Sequence, residues 1–297
     1  MDLSISIVSW NVKELLKKCL NSILENKDNL NIEIFVIDNN SRDRSPDMVK
    51  KDFPQVILIE NKSNIGYAAA NNKALKLSKG KYILLLNPDT EIKPKALRNM
   101  MDFMESNPNI GAIGPKLLNS DGTLQKSCVT FPTLETMLYS ALFLDVLLPK
   151  SKVFGKYNMD YWDHNDLREV DQPMGAALMV RKKTIDEIGL MDEHNLFWFD
   201  EVDWCYEIKK HGWKIYYYPE AQVLHHKGQS FKKWKNPKEI LKSNYLWRSA
   251  RNYFFRKRYG PGSVLALYLL DTLQLFIIIF ILILITRSLF YLWRLII

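Results

Sequence analysis

Strand and helix signals alternate without a break over roughly the first ninety residues, and no other feature restricts the fold of this chain as much. Ile5 to Ser9 reads as a strand, and Lys13 to Leu24 as an amphipathic helix with Leu15, Leu16, Cys19, Leu20 and Ile23 on one face. Ile32 to Ile37 is a second strand, ended by the turn-forming cluster Asp38-Asn39-Asn40-Ser41. Val56 to Ile59 is a short third strand, and Asn64-Ile65-Gly66-Tyr67 leads into a helix from Ala68 to Leu77. After Gly80 comes a fourth strand, Ile83-Leu84-Leu85-Leu86, apolar at every position, as expected of a strand buried on both faces. The pattern predicts an α/β fold with βαβ units: a Rossmann-like, mostly parallel sheet flanked by helices.

Such sheets bind ligands at the carboxyl ends of their strands. The loops after strands one, two and four carry Ser9-Trp10-Asn11, Asp38-Asn39 and Asn87-Pro88-Asp89, so three polar clusters emerge on one edge and make a ligand cleft. Pro88 has no N–H to continue a central strand and marks where the chain leaves the sheet. Asp89 at that point suits a hard divalent cation that also holds phosphates; the plainer reading is a turn or helix-capping aspartate. Neither GxGxxG after the first strand nor a Walker A loop is present, which argues against a nicotinamide or flavin enzyme. A nucleotide here would depend on a metal and side chains.

Beyond Pro94 the alternation stops. Lys95 to Ser106 reads as a helix, Gly111 to Lys116 as extended chain and Ser120-Asp121-Gly122-Thr123 as a hairpin turn, while 130 to 170 shows no period and is expected to be irregular or a mobile loop. A strand is expected around Gly175. Asp192 to Trp204 then sets five acids among four aromatics. If 201 to 210 is a helix, Glu201 and Asp203 lie in its first turn, where they either cap the helix or, desolvated by the aromatic walls, act as an acid or base. Tyr216 to Pro219 reads as the end of a further strand, followed by Val223-Leu224-His225-His226. His225 is the better candidate of the two histidines to join Asp89 at a metal or to hold a diphosphate.

Core is ample: the chain has 297 residues, 47% hydrophobic and 25% charged, enough for one large domain or a domain with an appendage. Cys19, Cys128 and Cys205 are odd in number and lack CxxC spacing, so neither a disulfide framework nor a zinc site is expected and a reducing compartment fits. Met1-Asp2-Leu3-Ser4 has no basic stretch of the kind that opens a secretory leader.

Six ordered motifs carry a family resemblance. Asp38-Asn39-Asn40-Ser41, Asn64-Ile65-Gly66-Tyr67 with Asn71-Asn72, Leu86-Asn87-Pro88-Asp89, Met191-Asp192-Glu193, Asp200 to Cys205, and His225 with Gly228 and Ser230 resemble, in this order, the family 2 glycosyltransferases. The rhamnosyltransferase-like branch also resembles Gly114-Pro115-Lys116-Leu117-Leu118 followed by Asp121-Gly122. The resemblance spans about residues 3 to 230. It implies a GT-A fold and inverting transfer from a nucleoside diphosphate sugar, such as dTDP-rhamnose or a UDP-sugar, with Mg2+ or Mn2+. By that analogy Asp38 and Asn39 contact the nucleotide base, with Ser9 beside the nucleoside, and Asn64, Gly66, Asn72, Asn87 and Gly175 belong to the substrate site. Asp89, with His225, is the metal ligand, in a motif that lacks the first acid of a full DxD. Glu201 takes the place of the base, with Asp200 and Asp203 as the other candidates.

The tail sets the surroundings. From Lys227 to Arg258 there are eleven Lys/Arg and one acid, Glu239, more surplus charge than the whole chain's +8. Trp234, Tyr245, Trp247, Tyr253, Phe254 and Phe255 are mixed in. Nucleic-acid binding is the competing reading of such a mixture. Next comes Val264 to Ile285, where only Asp271, Thr272 and Gln274 are polar. A helix of that length reaches about 33 Å, enough for a hydrocarbon core of roughly 30 Å. Before such a helix, a basic aromatic segment fits an interface with anionic lipids better than a nucleic acid. A tilted, re-entrant or paired arrangement using Leu289 to Ile297 stays open. The expected division is a catalytic domain over 1–230, an interfacial helical segment over 231–262 and membrane-associated helices over 263–297. The positive-inside rule puts the catalytic domain on the cytoplasmic side of the inner membrane. The tail and the family resemblance together imply a lipid-linked glycan acceptor of cell-surface polysaccharide synthesis. Transfer directly to a polyprenyl phosphate, a sugar nucleotidyltransferase and a non-catalytic membrane scaffold are the alternatives.

Overall fold

The computed structural model describes residues 1–194, 198–226 and 237–296, with side chains as far as 286. Gly228, Ser230 and the first part of the basic segment lie outside the described residues. The chain divides into two compact units, Met1–Phe131 with Asp163–Ala250, and Pro132–Trp162 with Arg251–Ile297.

In chain order the elements begin with β1 (Leu3–Ser9), α1 (Lys13–Glu25), β2 (Ile32–Asp38), α2 (Ser45–Asp52), β3 (Ile57–Glu60), α3 (Tyr67–Leu77), β4 (Tyr82–Leu86) and β5 (Thr90–Ile92). They continue with α4 (Ala96–Ser106), β6 (Ile110–Leu118), β7 (Leu124–Gln125), β8 (Cys128–Val129), α5 (Leu134–Ala141), α6 (Leu144–Leu147), β9 (Arg168–Glu169) and β10 (Gln172–Pro173). Last come β11 (Ala177–Arg181), α7 (Lys182–Ile188), α8 (Asp200–Lys210), β12 (Lys214–His225), α9 (Pro237–Tyr259) and α10 (Pro261–Ile296).

The first unit is built on one mixed sheet in the order β3-β2-β1-β4-β11-β6-β12-β5. Strands β3, β2, β1 and β4 are parallel, with Ser9 opposite Asp38, Asp38 opposite Glu60 and Ile7 opposite Leu86. Parallel register forces their carboxyl ends, and the loops that follow, onto a single edge, as the alternation predicts. β4 is buried at all five positions, and helix α1 closes the sheet with Leu16, Cys19, Leu20 and Ile23, all fully buried. Each such leucine or isoleucine stabilises the fold by about 1.5–3 kcal/mol.

Four expectations need correction. The 130 to 170 stretch is not wholly irregular: α5 forms behind a capping box between Thr133 and Thr136, too short to show a period in the sequence. Gly175 is not in a strand but in the turn between β10 and β11. β12 does not stop near Pro219; a register shift between Tyr218 and Gln222 absorbs the proline's missing N–H, and the strand runs on to His225. Residues from Leu289 do not fold back as a second helix, because α10 continues unbroken to Ile296.

In the second unit, α5 packs against α10, and Asp271 of α10 makes a two-pronged ion pair with Arg251 of α9, at 2.9 and 2.8 Å. The arginine side chain is 5% exposed and the aspartate 13%. The one acid that interrupts the apolar helix is therefore neutralised inside the unit. α10 is the single helix among the described residues long and apolar enough to cross a membrane, over Pro261–Thr286.

Candidate active site

Strand direction brings the predicted residues together. Ser9, Asp38 and the Asn87-Pro88-Asp89 turn follow the parallel strands, and β11 runs antiparallel beside β4, with Ala177 opposite Leu86. The start of β11, rather than its end, thus faces the cleft, and Asn87 N–H bonds Ala176 O at 2.9 Å. This is how Gly175 reaches the site from far along the chain.

At the carboxyl ends of β1 and β2, Asp38 accepts from Ser41 N–H at 2.8 Å through Oδ2. Its Oδ1 and the Ser9 hydroxyl are buried and have no hydrogen-bond partner among the described residues. Buried polar atoms left open in this way mark a place for a ligand, because an unmade hydrogen bond costs about 1–3 kcal/mol. Asn39 and Asn72 are placed differently. The Asn39 amide is taken up by Asn61, Asn64 and Gly66 O, so it ties down the loop between β3 and α3. Asn64 Oδ1 also accepts Gly66 N–H at 3.0 Å, and Gly66 sits at φ +87°, where a side chain would be strained. Asn72, fully occupied, accepts from Met191 N–H at 3.0 Å and donates to Met191 O and Glu193 at 2.8 Å each. It fastens α3 to a segment 119 residues on.

Antiparallel pairing of β5 with β12 sets His225 opposite Thr90 and so beside Asp89. His225 Nε2 lies 3.3 Å from Asp89 Oδ1, with side chains only 6% and 5% exposed. Gln125 fixes the ring. Its amide nitrogen donates to Asn119 and to His225 O, leaving its oxygen to accept from His225 Nδ1–H at 2.6 Å. The ring is thereby held with Nε2 toward the Asp89 carboxylate. One hard oxygen and one imidazole fit Mn2+, and Mg2+ less well. No cluster of three or more candidate ligands occurs among the described residues, so phosphate oxygens and water would complete the shell. Gln125 was not foreseen; a lone polar residue in a two-residue strand is the only trace it leaves in the sequence.

The acidic end is the start of α8, whose first turn holds Asp200, Glu201 and Asp203. Trp198 and Phe199 enter it in the left-handed region, at φ +63° and +65°, a conformation that bulky residues hold only under tertiary constraint. Asp200 is 2% exposed. Burial, and then the charges of Glu201, Asp192 and Asp203, push its carboxyl up to about 9. Glu201 is half-buried against Gly175, with its carbons 3.4 Å from where a Cβ on that glycine would stand. Burial raises its carboxyl too, against the pull of backbone hydrogen bonds from Glu201 and Gly175. Asp203 is 7% exposed. Tyr67, which the sequence offers only as part of its motif and with no role of its own, donates its hydroxyl to Gly175 O at 3.0 Å. Its ionisation is pushed up by burial and then by the charges of Glu201 and Asp200, so it stays a neutral donor.

Comparison with known proteins bears on the family and the fold. Residues 4–170 match the model of glycosyl transferase family 2. The chain is 26% identical over 236 residues to the N-acetylglucosaminyl-diphospho-decaprenol L-rhamnosyltransferase of Mycobacterium tuberculosis, covering 74% of this chain and 76% of that protein. Among solved structures it resembles GalNAc-T7 with UDP, GalNAc and Mn2+ at TM-score 0.57 and 16% identity, over 89% of this chain and 51% of that one. The mannosyltransferase PcManGT of Pyrobaculum calidifontis, in complex with GDP-Man and Mn2+, gives TM-score 0.52 and 16% identity, over 90% and 73%. The fold is GT-A, and with a family model matched over more than half of its length, the chain belongs to glycosyltransferase family 2.

Proposed function

We propose that this glycosyltransferase is metal-dependent and inverting, and moves a sugar from a nucleoside diphosphate donor, dTDP-rhamnose or a UDP-sugar, to a lipid-linked glycan at a membrane. The observation that carries the reading is the buried Asp89–His225 pair, held by Gln125 on the same sheet edge as the open Asp38 Oδ1 and Ser9 hydroxyl. Uracil and thymine both present an imide N–H that Asp38 Oδ1 can accept, while Ser9 meets the nucleoside.

Asp89 and His225 would hold the divalent cation, which supplies Lewis-acid stabilisation of the departing diphosphate when bound. Among the acids, Asp200 is protonated near neutral pH and cannot accept a proton there. Glu201, with an edge open to solvent, is the base for the acceptor hydroxyl. Tyr67 and Gly175 set its position. Attack by that hydroxyl in a single in-line step, with no enzyme nucleophile, inverts the anomeric centre.

The acceptor follows from the relative and the tail. The Mycobacterium tuberculosis protein is named for a decaprenol-linked substrate, and α10 here is long and apolar enough to anchor a chain in a bilayer. We assign catalysis to residues 1–230, contact with anionic lipids to 231–262 and anchoring to 263–297, with the catalytic part on the cytoplasmic side of the inner membrane. The test is a panel of nucleotide sugars with membrane lipid extract, with and without Mn2+ or Mg2+. Release of nucleoside diphosphate that needs both lipid and metal supports the reading, and release without lipid overturns the acceptor. Glu201→Gln is expected to abolish transfer and leave donor binding intact; wild-type turnover in that variant removes Glu201 from the mechanism.

A further inference from the structure

Helix α5 is apolar on the wrong side for a water-facing element. Its buried positions, Thr136, Met137 and Ala141, form the face toward the second unit's interior, and Gln274 of α10 donates to Ser140 O at 3.3 Å. Yet the outward face carries Leu134, Leu138 and Leu142, 36–38% exposed and spaced four apart in a stripe. Phe143, at φ +58°, then turns the chain into α6, where Val146, Leu147 and Leu148 are 70%, 71% and 49% exposed. Three large apolar side chains in a row, this exposed, are not what a water-facing corner presents.

Position and charge say what covers the corner. Gln274 lies at the level of the carboxyl end of α5, and the α5–α6 corner follows at once. From the next residue of α10, Leu275, through Thr286, every side chain except that of Ile277 is exposed. The bare corner therefore leaves α5 at the level where the bare part of α10 begins. Behind the corner, Lys150 and Lys152 are exposed, with no acidic residue from Leu147 to Tyr157, and the one acid of the corner itself, Asp145, is half-buried with its Oδ1 turned away from solvent. Apolar side chains backed by lysines are the composition of an element seated at the boundary between acyl chains and anionic head groups.

We propose that the α5–α6 corner, residues 142–148, is a second membrane-inserted element, seated shallowly in an anionic lipid surface beside α10. The proposal rests on the reading of α10 as a membrane anchor. A chain held by one helix swivels about it; a second apolar foothold in the same unit fixes how that unit is tilted on the bilayer.

The experiment labels single introduced cysteines with an environment-sensitive fluorophore in the full-length chain, in phosphatidylcholine vesicles containing phosphatidylglycerol. Cys19, Cys128 and Cys205 are buried, so the introduced thiol takes the label. Leu147→Cys reports the corner, Phe280→Cys the anchor and Lys62→Cys an exposed site in the first unit. Expected is quenching of the Leu147 label by a shallow spin-labelled lipid several-fold above that of the Lys62 label, with correspondingly weaker quenching by iodide. Lipid quenching at Phe280 with Leu147 as open to iodide as Lys62 overturns the proposal and leaves the anchor standing. A Leu147 label shielded from both quenchers also overturns it, since protein, such as a second copy of the chain, then covers the corner. Absence of lipid quenching at Phe280 removes the anchor and this proposal together.

Discussion

Asp200 gives a stability prediction with a definite sign. It is 2% exposed, its Oδ1 has no partner among the described residues, and its carboxyl is raised from 3.8 to about 9. Between those two values the folded chain holds a proton that the unfolded chain has released, so stability falls by about 1.36 kcal/mol per pH unit as pH rises. From 3.8 to pH 7 the loss is about 4 kcal/mol. Asp200→Asn keeps the shape and removes the titration. At pH 4 the variant and the wild type should therefore unfold alike, and by pH 7 the variant should gain on the order of 10 °C in Tm. The gain should stop growing above pH 9. Thermal unfolding of both full chains in detergent across this range measures it, and taking the difference cancels groups common to both. A Tm difference that stays constant with pH would show that Asp200 ionises normally, and would return it to the list of candidate bases.

Three further outcomes test the geometry. Gln125→Leu removes the acceptor that orients His225 and should raise the Mn2+ concentration for half-maximal transfer about 10- to 100-fold; an unchanged Mn2+ requirement excludes His225 as a ligand. Gly175→Ala places a Cβ at ordinary contact distance from Glu201, but Gly175→Val drives methyl groups into that side chain, so kcat should fall at least about tenfold for valine alone, with Tm nearly unchanged. Arg251→Met strands Asp271 in an apolar helix and should cost about 3–5 kcal/mol, read as loss of Tm in detergent; adding Asp271→Leu should restore it.

Much of the first unit is legible in the residues alone. A parallel strand buried on both faces has to be apolar throughout, and a helix covering it has to be apolar on one stripe, so local sequence states both. The one missed helix there before α3, Ser45–Asp52, buries little beyond Met48 and Val49 and so carries almost no pattern. The stretch ending in Asp89 is legible for the same reason: an abrupt stop of an all-apolar strand at a proline marks the sheet's edge wherever it occurs.

The sequence by itself determined the alternating α/β scaffold, the edge on which Ser9, Asp38 and Asp89 emerge, and the apolar helix at the end. It raised Glu201 and His225 as candidates from their local surroundings and Gly175 as a substrate-site residue through motif likeness, but nothing local says where they go. Tertiary structure decided that. Antiparallel pairing of β12 with β5 carries His225 to Asp89 across 136 positions, and the reversed direction of β11 brings Gly175 to the cleft beside Glu201. It also decided which acids differ: Asp200 and Glu201 are neighbours of like chemistry, and only packing buries one with an orphaned oxygen and leaves the other open at its edge. Asp271 is the same lesson in the second unit, an interruption of an apolar run until the fold supplies Arg251 from another helix. Distance along a chain carries no information about which polar groups will satisfy one another, and that is the part only three dimensions supply.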